Sequence, residues 1–278
     1  MQARRRKVTF AKISRAVGQS SLFESAFSQD LKGALDPHKG IERYGRLWRV
    51  SRPVIFDEFL AAKLGFVRTG ASEEVSFDEN QEDFVTELRA SEQGRFSHFV
   101  VSLVEGLMVF EERPPEIRRQ SFLGALAKLL RESENRFDVM VLTEAKAFFD
   151  WLETVETVLA FRGIFERPNP QWRQRTDQVR RLIEDTGADK MTIEAKVNPK
   201  SEHGLEVATS LLGQVAVHAE GGYGQVKAIG EKDGKERTFR SAENAVTEEI
   251  VETRDDSSQT IFENLVKKLK KWLGHGSE

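Results

Sequence analysis

Apolar positions along this chain switch between two spacings, every second residue for strands and every third or fourth for helices. The run FSHFVVSLVEGLMVFEER, from Phe96 to Arg113, has two apolar segments around Glu105-Gly106. It predicts a β-hairpin, because glycine supplies the turn dihedrals. Pro114-Pro115 then breaks the chain and starts a helix, where Phe122, Leu123, Leu126, Leu129 and Leu130 recur at helical spacing. FDVMVL (137–142) reads as a short buried strand. Phe148, Trp151, Leu152 and Val155 mark another amphipathic helix. VLAFRGIFERPNP (158–170) is a strand ended by two prolines. A helix over 173–186 carries Val179, Leu182 and Ile183 on one face, and KMTIEAKV (190–197) is a strand. Residues 203–219 form a helix with Leu205, Ala208, Leu211, Leu212 and Val215. Gly221-Gly222-Tyr223-Gly224 fits a helix cap and turn better than a phosphate loop, because a strand follows. Residues 222–241 are a second hairpin with Asp233-Gly234 at its turn.

The first third gives weaker signals. Val8, Phe10 and Ile13 are spaced like a strand behind a basic tip of Arg4, Arg5, Arg6 and Lys7, and read as the solvated start of an edge strand. The alternative is a basic arm on phosphate or anionic lipid. Phe23 and Phe27 form a helical pair, and residues 46–68 look like strands flanking a short helix from Phe56 to Leu64. Residues 73–92 hold eight acids against Arg89, with Phe77, Phe84 and Leu88 as anchors, and read as a solvated acidic helix. Their spacing is not that of a calcium loop.

Helices and hairpins alternate, so the expected class is α+β, with mixed or antiparallel sheets built from hairpins alternating with amphipathic helices. The two prolines near 168–170 suggest a boundary, giving domains 1–165 and 166–278, the second ending in a basic amphipathic helix. The 278 residues suit one large domain or two small ones.

Composition removes several chemistries. No cysteine is present, which excludes disulfides, thiolate metal sites and cysteine nucleophiles. The five histidines are scattered, and no metal motif or Ser-His-Asp order stands out. The net charge of −3 gives no global basic bias. No secretory core or membrane-length apolar run is visible, so a cytoplasmic protein is expected.

Local charge is more informative. Arg162, Arg167, Arg173, Arg175, Arg180 and Arg181 face only Glu166 and Asp177, with Trp172 among them. Arginine binds phosphate bidentately and an aromatic can stack on bases, so this cluster is a candidate nucleic-acid surface. Arg173 and Arg180 are seven apart and share a helix face. The bland alternative is a solvated helix face paired with the acidic regions. In the closing helix, Thr260 and Glu263 fit a capping box, and Ile261, Leu265, Leu269 and Trp272 form a stripe. Lys267, Lys268, Lys270 and Lys271 surround it. Such a helix docks on its own domain, lies on a membrane, binds nucleic acid or packs in a dimer. Ile193-Glu194-Ala195-Lys196 on a predicted strand resembles half of the PD-(D/E)xK nuclease signature, in which Glu194 would hold Mg²⁺ and Lys196 would position the attacking water. That fold needs a second acid on the preceding paired strand, and a helix precedes Glu194 here.

Taken together, the chain resembles phage-lambda exclusion protein RexA and KwaB-like phage-defence proteins. The resemblance rests on Leu103-Val104-Glu105-Gly106-Leu107-Met108-Val109-Phe110 followed by a turn and helix, on the Asp233-Gly234 hairpin, and on the basic closing helix. It covers the last two thirds, as organisation more than identity. It implies a prophage or bacterial defence factor that binds DNA without base chemistry, with a membrane-protein partner. The leading expectation is therefore a non-enzymatic protein, oligomeric and without cofactor. It would bind double-stranded DNA through phosphates, using the arginine cluster and basic ends. The acidic 73–92 region would be a counter-surface. An Mg²⁺-dependent nuclease using Glu194 and Lys196, and a protein-interaction or membrane-surface scaffold built on the closing helix, are the alternatives.

Overall fold

The computed structural model describes residues 4–16, 27–68, 71–78, 83–90, 93–133, 136–167, 176–198, 203–252 and 257–275. Among them the chain forms an α+β fold with antiparallel sheets. The strands are β1 (Arg4–Arg15), β2 (Gly40–Arg43), β3 (Arg46–Val50), β4 (Val54–Phe56), β5 (Phe59–Arg68), β6 (Ala71–Asp78), β7 (Asp83–Ala90), β8 (Gln93–Ser102), β9 (Leu107–Glu111), β10 (Phe137–Val141), β11 (Thr157–Glu166), β12 (Lys190–Lys196), β13 (Gly224–Lys232), β14 (Lys235–Arg240) and β15 (Thr247–Glu252). The helices are α1 (Phe27–Ala34), α2 (Arg119–Arg131), α3 (Ala145–Leu152), α4 (Asp177–Thr186), α5 (Leu211–His218) and α6 (Ser258–His275).

Nine strands form the first sheet, in the order β10-β1-β9-β8-β5-β3-β2, with β15 also on β1 and β4 on β5. One edge of β1 pairs with β9. Its other edge is shared, β15 taking Arg4 to Thr9 and β10 taking Ala11 to Arg15. The basic start of the chain is thus an interior strand rather than an edge. Val8, Phe10, Ala11 and Ile13 are buried on alternate faces, and a strand apolar on both faces needs cover on both. On one face Ala11, Ile13, Trp48, Phe99 and Phe110 pack against Leu31 of α1 and Phe122, Leu126 and Leu130 of α2. The Phe110 and Phe122 rings stack at 4.2 Å. On the other face Val8, Phe10, Phe59, Val100 and Val109 pack against Ile261, Phe262, Leu265 and Leu269 of α6. Each such side chain contributes about 1.5–3 kcal/mol on full burial.

The second sheet has the order β12-β11-β13-β14. Phe161, Phe165, Val226 and Phe239 from its inner face pack with Phe148 of α3, Val179 and Ile183 of α4, and Val215 of α5. Gly163 lets α5 approach this closely, because a Cβ there would collide with Val215. The Asp233-Gly234 turn has φ values of 52° and 70°, the two positive values that a tight two-residue hairpin requires.

Several expectations are corrected. Residues 71–90 form the β6–β7 hairpin, not an acidic helix. Val75 and Phe77 alternate with polar residues, and two-residue alternation suits a strand. Residues 56–64 contain no helix: β4 and β5 pair directly, Phe56 facing Phe59, with Asp57 at φ 53° between them. The helix read over 203–219 is α5 alone, and it begins only after Ser210, whose side chain accepts from the Leu212 N–H. The last helix starts at Ser258, and the hydroxyl of Ser257 accepts from the Thr260 N–H, so the cap is Ser257 rather than Thr260. Phe23 and the Trp172–Arg175 stretch lie outside the described residues. The 165/166 boundary falls at the end of β11. The sheets divide the chain differently, because β15 and α6 return to the first sheet.

Candidate nucleic-acid interface

The outer face of the second sheet is bare around the middle of its strands, whereas Glu166 at the end of β11 is buried against Ser14 and Lys190. Cross-strand register puts Glu194, Arg162, Lys227 and Arg240 in one row across β12, β11, β13 and β14. All four are exposed, including the two on the central strands. Ala160, Ile164 and Ile229 are half-buried on the same face, and Lys196 lies opposite Ala160. The opposite face buries Phe161, Val226 and Ala228, so two-residue alternation aims the cations outward. Lys227 makes no ion pair among the described residues. Arg240 meets Glu243 at 3.2 Å on the exposed surface.

Glu194 and Lys196 contact each other at 2.7 Å. That hydrogen bond, the Lys196 charge and the Arg162 charge hold the Glu194 carboxyl below the usual carboxylate range. The residue opposite Glu194 on β11 is Arg162, not the second acid that a metal-dependent nuclease needs. Among the described residues, no group of three His, Asp or Glu side chains is placed to hold a metal ion.

The sequence cluster of arginines is split. Arg162 is on the bare sheet face. Arg180 and Arg181 are on the solvent side of α4, the helix that covers the opposite face through Val179 and Ile183. Arg180 also meets Glu184 at 3.2 Å. Arg167 follows β11 and is exposed, with its N–H donating to the Asp189 carbonyl. Trp172, Arg173 and Arg175 lie outside the described residues. The lysines of α6 sit on the first sheet. Lys267, Lys270 and Lys271 are exposed, while Lys268 bonds Glu248 at 2.6 Å. The apolar stripe of α6 faces the core, with Ile261, Phe262, Leu265 and Leu269 buried against the first sheet. No described helix is long and apolar enough to cross a membrane.

Lys227 and Arg240 were not among the candidates from sequence. The signal was available, because Val226, Ala228 and Gly230 alternate with Gln225, Lys227 and Ile229 in β13. No local pattern announces a second group, beneath the start of α6. There His98 and Glu111 are buried on neighbouring strands β8 and β9, on the face that α6 covers. Glu111 accepts from His98 Nδ1 at 2.9 Å. Its other oxygen lies 2.8 Å from both Arg6 and Arg113. Burial alone would push the Glu111 carboxyl up, but the bonds from His98 and Arg113 and their charges hold it below the ordinary range. Burial lowers the His98 pKa despite Glu111.

No protein-family model matches this chain, and a search of curated proteins returns no match.

Proposed function

We propose that this protein binds double-stranded nucleic acid, with DNA the leading candidate, through the bare face of the second sheet. The observation that carries this is the row of Arg162, Lys227 and Arg240 on an uncovered sheet face, flanked by Lys196. Neighbouring strands are about 4.8 Å apart, so three cations line up over about 10 Å. Duplex DNA presents one charge per about 1.7 Å of axis, which gives about six charges over that length. Among the described residues the face has no exposed aromatic side chain to serve as a platform for unstacked bases. Arginine and lysine on a flat face neutralise phosphates and position the duplex without reading base edges. The prophage or anti-phage setting rests on the resemblance to RexA and KwaB-like proteins, and duplex binding stands without it.

The test is a salt titration of binding to a duplex of mixed sequence. Four neutralised phosphates give a log–log slope of about −3.6. The double variant Arg162→Glu, Lys227→Glu should flatten the slope by about 1.8 and weaken binding equally for all sequences. Unchanged affinity in that variant would refute the assigned face.

A further inference from the structure

The start of α6 carries a hydrogen-bonded chain that duplex binding does not use. Ser258 is the first residue of α6, and its Oγ is 3.2 Å from His98 Nε2. His98 Nδ1 is 2.9 Å from Glu111 Oε2. The polarity of the chain follows from its ends. Glu111 is a buried carboxylate that can only accept, so Nδ1 carries the proton. Arg113 is the competing neighbour of Nδ1, at 3.5 Å, and is too far to reverse that assignment. In neutral His98, Nε2 is then an acceptor, and the Ser258 O–H must be the donor. Burial favours the neutral ring. This is the arrangement by which an imidazole draws the proton from a serine nucleophile.

A second observation comes from the helix itself. An α-helix leaves its first N–H groups without internal partners. In α6 the Thr260 N–H goes to Ser257 Oγ, and the Ile261 N–H goes to the Ser257 carbonyl. The N–H groups of Ser258 and Gln259 have no partner among the described residues. They belong to the nucleophile and the residue after it, at the positive end of an 18-residue helix. Those are the donors that stabilise an oxyanion in acyl transfer.

The geometry points to Ser258 as the nucleophile of an esterase site, with His98 as its general base and Glu111 orienting the ring. Ser258 Oγ attacks the carbonyl carbon while its proton moves to His98 Nε2, and the charge on the carbonyl oxygen is held by the Ser258 and Gln259 N–H groups. Collapse breaks the bond to the alkoxy oxygen, which leaves as an alcohol with the proton from His98. Water then attacks the acyl-serine, giving a proton to His98 that returns to Ser258 as the carboxylic acid departs. Phe96 is 38% exposed, and its ring stands 5.3 Å from His98, edge to face. It offers an apolar surface beside the histidine, which suits a small ester with an apolar or aromatic group.

The test uses the full chain, a biotinylated fluorophosphonate and p-nitrophenyl acetate. The site predicts a single adduct, mapped by peptide mass spectrometry to Ser258, and ester hydrolysis that falls at least about 100-fold in Ser258→Ala. Ser258 is only half-buried, so this variant should keep the wild-type circular dichroism. The acid limb of the hydrolysis profile should lie below the ordinary histidine range and disappear in His98→Gln. No adduct at Ser258 in the folded wild type, an adduct on another serine only, or equal hydrolysis in Ser258→Ala would overturn the site. Each of those results would leave the His98–Ser258 bond as a pin that fixes α6 to the sheet.

Discussion

The two sheets of this protein use their cations in different ways. The first sheet is packed on both faces, by α1 and α2 on one side and by α6 on the other. Most of its inward-facing charges are matched by acids, Arg6 and Arg113 closing on Glu111 and Lys268 on Glu248, while the buried Lys12 sits over the Tyr223 ring and burial lowers its pKa to about 8. The second sheet is packed on one face only, by α3, α4 and α5. The cations of its two central strands, Arg162 and Lys227, point into solvent with no acid within ion-pair distance among the described residues. The contrast separates charge that holds a fold from charge that is available to a partner. A buried ion that loses its counter-ion is strongly destabilising, whereas an exposed cation contributes little to stability.

The largest effect should come from the buried group. Glu111→Gln leaves the partly buried Arg6 and Arg113 beside a neutral side chain, and should cost about 3 kcal/mol in urea unfolding. A loss below about 1 kcal/mol would break the contrast between the sheets.

The second effect concerns the packed side of the second sheet. His218 is fully buried there, its Nε2–H donating to the Glu166 carbonyl at 2.8 Å and its Nδ1 accepting from Thr176 at 3.3 Å. Burial pushes its pKa down to about 4 from the ordinary 6.5, against the Glu166 bond and with help from the charge of Lys12. The unfolded chain takes up the proton first as pH falls, so stability is full above pH 6.5 and declines down to about pH 4. The decline should be about 3 kcal/mol. In His218→Gln the portion due to this ring should vanish from a stability profile measured by urea unfolding. A profile with the same slope in both proteins would place the acid sensitivity elsewhere.

Surface substitutions should move stability least. Arg162→Glu with Lys227→Glu should stay within about 0.5 kcal/mol per site by thermal or urea unfolding while duplex binding falls. Arg180→Ala and Arg181→Ala lie across the sheet, and should change duplex affinity by less than about twofold because no phosphate contact is lost. A large loss in the α4 pair would move the interface to the other side.

Much of the fold was legible in the sequence where local chemistry decides it. The Asp233-Gly234 and Glu105-Gly106 turns have glycines at φ values of 70° and 68°, and both hairpins fall where the turn residues put them. The two-residue alternation of 71–90 was legible too, but a dense run of acids masked it. What escaped were features set by partners far along the chain. The basic start became interior because β15, more than two hundred residues later, pairs with it. Arg6 is neutralised by a glutamate in β9. Ser258 and His98 are 160 positions apart, and no sequence spacing relates them. The arginine run at 162–181 was visible, but its division across the sheet was not, because β11 and α4 present opposite sides.

The most direct measurement is the salt dependence of duplex DNA binding by the wild-type chain and by the Arg162→Glu, Lys227→Glu variant, both with wild-type stability. A wild-type log–log slope of about −3.6 that falls to about −1.8 in the variant is the result that duplex binding on the bare sheet face predicts. A wild-type slope near zero, or identical slopes and affinities in the two proteins, would contradict it.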